Sequence, residues 1–512
     1  MNKWIVVLLI FIFSVLLRIW NLNEMGRTWD EAEYIEPGYK LVELLKKGDF
    51  NNSYFYTTYN HPPLVKYLYG LTAHLDVESI SKDGNPIFRY DYTYSRLQSA
   101  ILFSLGVAIV VMIGWKISNP VVGILSGIIL AMLPFSLGLS QLVTTESLKI
   151  FIYPLTVYVY ILLVEKFSWE KILAAGIVTG LALQTKQSNF LVIPMLGAMF
   201  FFQYKQLKVK QKAKFLTSRI KAIIFVSLIG IVVFILIWPQ VLFHFKEIYA
   251  IHQRLWNVHF SPKIWQITLS PPEIFFGRLI LTPIFYYPVY FFITTPLLIL
   301  CLFFAGVRGI FKKRSIYLFS ILLWFLLPYS LSIYSWRQHG LRYIIEIYPA
   351  IAIISAIGFD FIVQKFTKKL IYKLLLFISV IFYLFLNLWN IKPYYLDYFN
   401  ELVGGVNTVY KHKLFQIGWW GDGVREAGMY VIKNAPRGSS VGLAISPIHV
   451  SSPMPMLNVQ KYNSHKKYDY VIVNTYNVLR EGFDDSFIKN NYNSVYFVKA
   501  DEAILATVYK LK

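Results

Sequence analysis

The chain has 512 residues and a formal net charge of +22; 56% of its residues are hydrophobic, 18% are aromatic and only 15% are charged. This composition, with a mean hydropathy of +0.50, excludes an ordinary soluble protein, and several apolar runs reach the roughly 20 residues that cross a bilayer. The single cysteine, Cys301, excludes a disulfide framework and a cysteine-based metal site.

The apolar runs predict a polytopic α-helical membrane protein with about eleven transmembrane helices. The first run is longer than the core of a secretory signal, and no small-residue cleavage site follows it, so we expect a retained span. The predicted spans are 4–20, 96–114, 120–139, 148–164, 170–184, 189–203, 220–238, 284–307, 316–333, 342–363 and 371–390.

Basic clusters predict the orientation of these spans. Three Lys- and Arg-rich loops, 204–221, 308–314 and 365–373, fall on the same side when the spans alternate from a cytoplasmic N-terminus. The positive charge is therefore interpreted as a topology signal that also meets anionic lipid, and nucleic acid is not expected as a partner. The segments expected outside the cytoplasm are 21–95, 140–147, 239–283, 334–341 and the tail 391–512.

The tail differs in character from the rest and predicts a small extracytoplasmic α/β domain. Asp422 is a candidate N-cap for a helix that Pro436 and Gly438 would end. Strand-like runs are 439–445, 468–475 and 494–511. We therefore expect a transmembrane domain over 1–390 and the α/β domain over 391–512.

The first outer segment contains the stretch RTWDEAEYIEPGYK, whose four carboxylates are Asp30, Glu31, Glu33 and Glu36. A solvated acidic loop is one interpretation. The other begins with Pro37, which suits the first residue of a short helix whose leucines fall on one face and which Gly48 would end. Such a helix would lie at the membrane surface and hold Asp30 and Glu31 near the headgroups.

Basic residues follow in the same segment. In TTYNHPPLVKYLYGL, two prolines after His61 precede a second short apolar stretch, beginning near Lys66, that predicts another interfacial helix. Arg96, in YSRLQSA, lies where the second span begins. Acidic and basic groups are thus expected at one depth, which indicates a site and not only a solvated surface.

Together these motifs resemble a known family. WDEAEY, NHPPLVKYL and SRLQSA are similar to the first outer loop of the protein O-mannosyltransferases, GT-C membrane glycosyltransferases that include the aminoarabinose transferases of lipid A. The resemblance continues at Glu146 in SQLVTTESLKIF, at Lys186 in GLALQTKQSN and at Arg342 in HGLRYIIEIYPAIAI, and so covers most of residues 1–390. YFNELVGG and GWWGDG in the tail resemble the small outer domain of bacterial and archaeal relatives.

The resemblance implies a GT-C fold and an inverting transfer of a monosaccharide, hexose or pentose, from a polyprenyl phosphate to a hydroxyl outside the cytoplasm. The acceptor would be a protein Ser or Thr, or a cell-envelope lipid or glycan. A carboxylate must accept the hydroxyl proton, and Asp30 is the expected base. Glu31 is expected to support it, and Glu146 to stabilise positive charge on the sugar or to orient the acceptor.

The departing phosphate requires cations at headgroup depth. Lys186, Arg96, Arg342 and Lys66 are the candidates, with snorkelling to the interface as the alternative role for each, and His61 is a more distant candidate ligand. Because a monophosphate donor does not oblige a divalent ion, we expect no metal and no cofactor.

Three further interpretations come from the residues alone. A transporter or flippase would also place charges between helices, and a noncatalytic scaffold would carry the same outer domain. His244, His252 and His259 are assigned to an amphipathic outer-loop helix, with acceptor or lipid contact as the alternative.

Overall fold

The computed structural model describes residues 2–57, 61–260, 272–280, 284–332, 340–445 and 453–512. Helices dominate up to Ile391, and a mixed sheet lies beyond it. The helices of the first part are α1 (Lys3–Ile19), α2 (Ala32–Lys46), α3 (Tyr54–Thr57), α4 (Leu64–Ala73), α5 (Thr93–Ile117), α6 (Pro120–Met132), α7 (Pro134–Ser140), α8 (Thr145–Glu165), α9 (Trp169–Thr185), α10 (Val192–Lys205), α11 (Val209–Ile237), α12 (Gln240–Phe243), α13 (Phe245–Phe260), α14 (Tyr286–Thr294), α15 (Leu297–Lys313), α16 (Ile316–Ser332), α17 (Ile347–Phe366) and α18 (Leu370–Ile391).

Several of these helices fit a membrane. Within the described ranges, five are long and apolar enough to cross one (α5, α8, α11, α17 and α18), and there are up to seven spans if each of two bent pairs counts as one. The apolar windows of α11 and α18 are only 17% and 22% buried, so their exposed faces are suited to lipid. The chain is thus a multi-pass membrane protein, although the predicted eleven spans are not confirmed.

One predicted span, 284–307, is broken. Helices α14 and α15 meet at an angle of 114°. The break exposes carbonyl groups, and Asn400 satisfies them: its Nδ2 donates to Phe292 O and to Thr295 O, both at 2.6 Å, and its backbone N donates to Ile293 O at 2.8 Å. A residue from beyond the last helix of the bundle therefore completes the hydrogen bonding of the broken span.

Close helix contacts hold the bundle together. A Cβ atom at Gly306 would collide with the carbonyl oxygen of Ile354, and one at Gly358 would collide with that of Leu302. The backbones of α15 and α17 therefore touch, as small residues allow in membrane helices.

The segment after α1 forms two packed helices whose bounds differ from the expected ones. Helix α2 begins at Ala32, so the expectation that Pro37 would begin it is wrong; five residues of helix precede that proline. Gly48, with φ +69°, follows the helix end as predicted. Helix α2 packs on α4 through Gly38 and Gly70, whose backbones lie in contact. A position at the membrane surface remains a prediction for both helices.

The basic stretch 204–221 is also more helical than expected. The sequence predicts a loop over this stretch, but α11 begins at Val209 and continues through the lysines into the apolar part of the helix. Lys, Gln and Ala are good helix formers, and charge alone does not end a helix.

The residues after α18 carry small helices and a five-stranded sheet. The helices are α19 (Gly405–Lys411), α20 (Val424–Asn434), α21 (Thr475–Leu479) and α22 (Ser486–Asn491). The sheet has strands β5 (Ser440–Ala444), β6 (Asn458–Lys461), β7 (Tyr470–Asn474), β8 (Tyr492–Ala500) and β9 (Ala503–Leu511), in the order β6-β5-β7-β9-β8. Strand β5 is parallel to β6 and β7, whereas β9 is antiparallel to β7 and β8.

The predicted helix and strands of the tail are confirmed, but the predicted N-cap is wrong. Gly423, with φ +81°, precedes the first residue of α20, and the Asp422 carboxylate is buried away from it. Two further hairpins are β1 (Val77–Ile80) with β2 (Pro86–Phe88) and β3 (Glu273–Phe275) with β4 (Arg278–Ile280).

Candidate functional site

A cavity of about 330 Å³ opens where the segment after α1, the end of α9 and the segment before α17 meet. Its lining combines charged, polar and apolar side chains. The lining residues are Asp30, Glu33, Tyr34, His61, Lys186, Gln187, Ser188, Phe190, Leu191, His252, Trp256, Tyr287, Pro328, Leu331, Ser332, Arg342, Tyr343, Ile344 and Glu346.

Arg342 is the central residue of the charged cluster at this cavity. Its Nη2 is paired with Asp30 Oδ2, and its Nε donates to Glu146 Oε1 at 3.1 Å. The arginine and Glu146 are buried, whereas the Asp30 side chain is 26% exposed. One guanidinium therefore joins two carboxylates from distant parts of the sequence, and only Asp30 of the two keeps an open face toward the cavity.

Local structure places each of these groups. Asp30 precedes α2, Glu146 lies in the first turn of α8, and Arg342 begins a short 3-10 helix, Arg342–Ile344, that leads into α17. A carboxylate in the first turn of a helix is stabilised by the helix dipole. Three helix starts thus converge on one cluster.

Lys186 completes this cluster from the end of α9. It is extended (φ −160°), and its Nζ lies 3.6 Å from Glu146 Oε1 and 5.0 Å from the centre of the Tyr343 ring. The distance to Glu146 is longer than a hydrogen bond, so the carboxylate does not saturate the ammonium. Burial lowers the pKa of Lys186 to about 8, against the opposing effect of Glu146.

His61 and Lys66 lie near the cluster in different ways. His61 lines the cavity, and its buried Nδ1 has no hydrogen-bond partner in the described part of the chain. Burial holds the pKa of His61 well below its ordinary value, with Lys186 adding to the effect, so the ring is neutral. Lys66 lies on α4, where burial lowers its pKa to about 8 against the attraction of Glu33.

Glu31 and Arg96 form a separate, closed cluster. Arg96 donates from Nε to Glu31 Oε1 at 2.7 Å and from Nη2 to Glu31 Oε2 at 2.6 Å, and both side chains are fully buried. Its remaining donors reach the carbonyl oxygens of Leu22 (3.1 Å) and Gly26. The guanidinium of Arg96 thus bonds to groups of the protein, and neither Glu31 nor Arg96 lines the cavity.

A buried ion pair that the sequence analysis missed lies beside the cavity. Lys149 Nζ is 2.5 Å from Glu346 Oε2, and it also lies 3.2 Å from Ser188 Oγ. No spacing rule in the sequence indicates this pair, because Lys149 and Glu346 lie far apart along the chain. Charges in such apolar surroundings are costly unless they are paired.

The remaining expectations concern α13 and metals. His252 and Trp256 of the predicted outer-loop helix line the cavity, whereas the side chain of His259 lies outside the described residues. Across the described ranges, no group of three or more His, Cys, Asp or Glu side chains is placed to hold a metal ion. Catalysis without a metal stays a prediction.

A family model matches part of the chain. Residues 60–238 match the model described as dolichyl-phosphate-mannose-protein mannosyltransferase. The matched range contains His61, Lys66, Arg96, Glu146 and Lys186. The match confirms the resemblance to GT-C enzymes of the protein O-mannosyltransferase type. No curated protein matches the sequence.

The chain is also similar to solved structures at low identity. ArnT from Cupriavidus metallidurans, bound to undecaprenyl phosphate, is 13% identical, with 98% of this chain and 97% of that chain covered and a TM-score of 0.49. Archaeal AglB from Archaeoglobus fulgidus, with an inhibitory peptide and a dolichol-phosphate, is 14% identical, with 99% and 74% covered and a TM-score of 0.47. The S. cerevisiae Pmt1-Pmt2 complex bound to the sugar donor is 17% identical, with 54% and 38% covered and a TM-score of 0.38.

Proposed function

We propose that this protein is an inverting glycosyltransferase that moves a monosaccharide from a polyprenyl phosphate to an acceptor hydroxyl at the outer face of the membrane. The acceptor is a protein Ser or Thr, or a cell-envelope lipid or glycan. The observation that carries the proposal is that Arg342 joins Asp30 and Glu146 at a cavity that Lys186 also lines. The family match supports a polyprenyl-phosphate donor.

Asp30 is the proposed base. It is the more exposed of the two carboxylates on Arg342, and it lines the cavity, where an acceptor hydroxyl can reach it. As the acceptor oxygen bonds to the anomeric carbon, its proton passes to Asp30 Oδ. The bond from the anomeric carbon to the phosphate oxygen breaks, and its electron pair leaves with the polyprenyl phosphate. Attack opposite to the leaving group inverts the anomeric carbon.

Lys186 is the proposed principal contact of the leaving phosphate. Its ammonium lies beyond hydrogen-bond distance from Glu146 and has donors to offer, and Arg342 adds a second positive charge in the same cluster. His61, neutral and lining the cavity, offers a ring nitrogen. Lys66 contributes positive charge from α4.

Glu31 and Arg96 are assigned a supporting role. Glu31 follows Asp30 in the sequence and pairs with Arg96. Glu31 also fixes the chain beside Asp30, because Thr28 N and Val143 N donate to its carboxylate at 2.9 and 3.2 Å. Residues 1–390 then form the catalytic membrane domain and 391–512 an extracytoplasmic domain, with the N-terminus in the cytoplasm.

The lining supports a lipid donor. Besides the charged cluster, the cavity is lined by the apolar residues Phe190, Leu191, Pro328 and Leu331. An apolar wall next to paired cations suits an isoprenoid chain that ends in a phosphate. The first isoprene units would lie along this wall.

The test uses purified protein in detergent with a panel of polyprenyl-phosphate sugars, measuring release of free polyprenyl phosphate. Asp30→Asn should lower the rate about 100-fold or more, as loss of a general base does, and Lys186→Ala should weaken donor use. The matched control is Glu36→Gln, an exposed carboxylate of the same acidic run that does not line the cavity.

The outcomes separate the classes of function. Release that is unchanged in Asp30→Asn would exclude this residue as the base. Failure of the wild type to consume any donor would contradict the enzymatic proposal and favour a transporter or a noncatalytic scaffold.

A further inference from the structure

The loop GWWGDG, residues 418–423, reaches the catalytic cluster from the far end of the sequence; we call it the tryptophan loop. The guanidinium carbon of Arg342 lies 4.5 Å from the ring centre of Trp420. This is within the roughly 6 Å at which a cation and an aromatic face attract one another. Trp420 is buried and stacks on Trp419, with ring centres 4.3 Å apart and planes inclined by 24°.

The indole and the carboxylates constrain different aspects of the arginine. Asp30 and Glu146 contact nitrogens of the guanidinium, whereas the central carbon of the guanidinium lies over the Trp420 ring. The two carboxylate contacts leave the guanidinium free to turn about the line that joins them. A large ring 4.5 Å from the central carbon restricts that turn, and Arg is suited to contacts with aromatic rings.

The tryptophan loop is anchored at two places within the segment that follows α18. Gly418 N donates to Asp397 Oδ1 at 2.7 Å, which ties the loop to the chain just beyond α18. Asn474 Nδ2 donates to Asp422 O at 3.2 Å, which ties it to the end of β7. Gly423 has φ +81°, and a Cβ atom there would come within 3.0 Å of the Val498 side chain of β8, so the loop packs closely on the sheet where only glycine fits well.

The residues around the loop also contact the segment that carries Asp30. Arg425 Nε lies 3.3 Å from Asp91 Oδ1, and a Cβ atom at Gly26 would come within 2.8 Å of the Arg425 Cβ. Trp29, next to the proposed base, meets Tyr476 edge-on with ring centres 5.9 Å apart. The segment after α18 therefore touches both sides of the Asp30–Arg342 pair.

We propose that Trp420 is a positioning residue, which fixes the plane of Arg342 and through it the placement of Asp30 and Glu146. The inference rests on the proposed function. It makes the part of the chain beyond α18 a component of the site and not only a neighbouring domain. Trp420 itself does not touch the reacting atoms in this scheme.

A double-mutant cycle tests the inference, with single-turnover consumption of the donor that the panel identifies as the readout. Trp420→Leu should lower kcat/KM about tenfold in the wild-type background. Trp420→Phe, which keeps a smaller aromatic face, should lose two- to fourfold. In the Arg342→Lys background, the same Trp420 substitutions should cost less than twofold, because a lysine has no plane to orient.

Control variants distinguish a general loss of stability from a specific effect of Trp420 on Arg342. Trp389→Leu removes an exposed indole from α18 and should leave kcat/KM unchanged. Thermal unfolding of every variant is measured alongside; if Trp420→Leu does not fold, the cycle is read with Trp420→Phe. Equal losses in both arginine backgrounds, or no loss at all, would overturn the inference while leaving the proposed function intact. A wild type inert with every donor would overturn both.

Discussion

The Glu31–Arg96 pair allows a sharp prediction about stability. Both side chains are fully buried and joined by two short hydrogen bonds, and the remaining donors of the arginine are met by backbone carbonyls. Glu31→Gln keeps the shape but removes the charge, which leaves a buried guanidinium without its counter-ion. Breaking a buried pair in this way costs about 3–5 kcal/mol.

The lower end of that range applies here, because the Gln oxygen still accepts one of the two hydrogen bonds. A loss of about 3 kcal/mol lowers the folding equilibrium by roughly a hundredfold. We expect the apparent midpoint of thermal unfolding to fall by about 6 °C, since each kcal/mol moves the midpoint of a large domain by about 2 °C.

The assay heats purified protein in detergent and follows the monodisperse fraction by size-exclusion chromatography. Glu36→Gln, exposed in the same acidic run, is the matched control and should unfold with the wild type. If Glu31→Gln unfolds with the wild type yet no longer consumes donor, Glu31 acts in the chemistry and the structural interpretation of the pair is wrong.

Three further outcomes are expected. Lys149→Met should lower the midpoint by unpairing the buried Glu346, and adding Glu346→Leu should restore it; a single variant as stable as the wild type would contradict this. Gly358→Ala should reduce the yield of monodisperse protein, because the added methyl collides with the Leu302 carbonyl, and an unchanged elution profile would show that the two helices can separate. Burial raises the pKa of Asp422 to about 7 from 3.8, and burial together with the charge of Asp422 also raises the pKa of Asp397, so the folded state keeps protons that the unfolded state loses, and stability should fall as pH rises from about 4 to 7. Asp422→Asn should make the thermal unfolding midpoint depend less on pH between pH 5 and pH 8. A variant whose midpoint changes with pH as much as that of the wild type would contradict the assignment.

The sequence predicted those parts of the fold that depend on local patterns. Long apolar runs located α5, α8, α17 and α18 to within a few residues, and short strand-like runs located β5 and β7. Breaks in these patterns were harder to find. The bend between α14 and α15 falls at Thr295 and Pro296, inside a run that is otherwise mostly apolar, and the basic residues in the first turns of α11 did not end its helix.

The residues of the candidate site were likewise predicted only in part. Motif resemblance identified Asp30, Glu146, Lys186 and Arg342, which the structure brings into one cluster. It did not separate them from Glu31, because adjacent residues at a helix start point in different directions and only the fold shows which one meets the cavity. The Lys149–Glu346 pair and the contact of Trp420 with Arg342 join segments far apart in the sequence, and no spacing rule predicts such contacts.

The hydrogen bonds of Asn400 have a consequence for how the chain is made. Asn400 follows the break at Thr295 by 105 residues, so the broken span is translated well before the side chain that hydrogen-bonds to its carbonyl groups. Until then, the carbonyl groups of Phe292 and Thr295 lack this partner, and unsatisfied carbonyls are costly in a bilayer. The membrane part therefore reaches its final form only after translation has passed the last helix. A nascent chain truncated before residue 400 would therefore retain an incompletely hydrogen-bonded span.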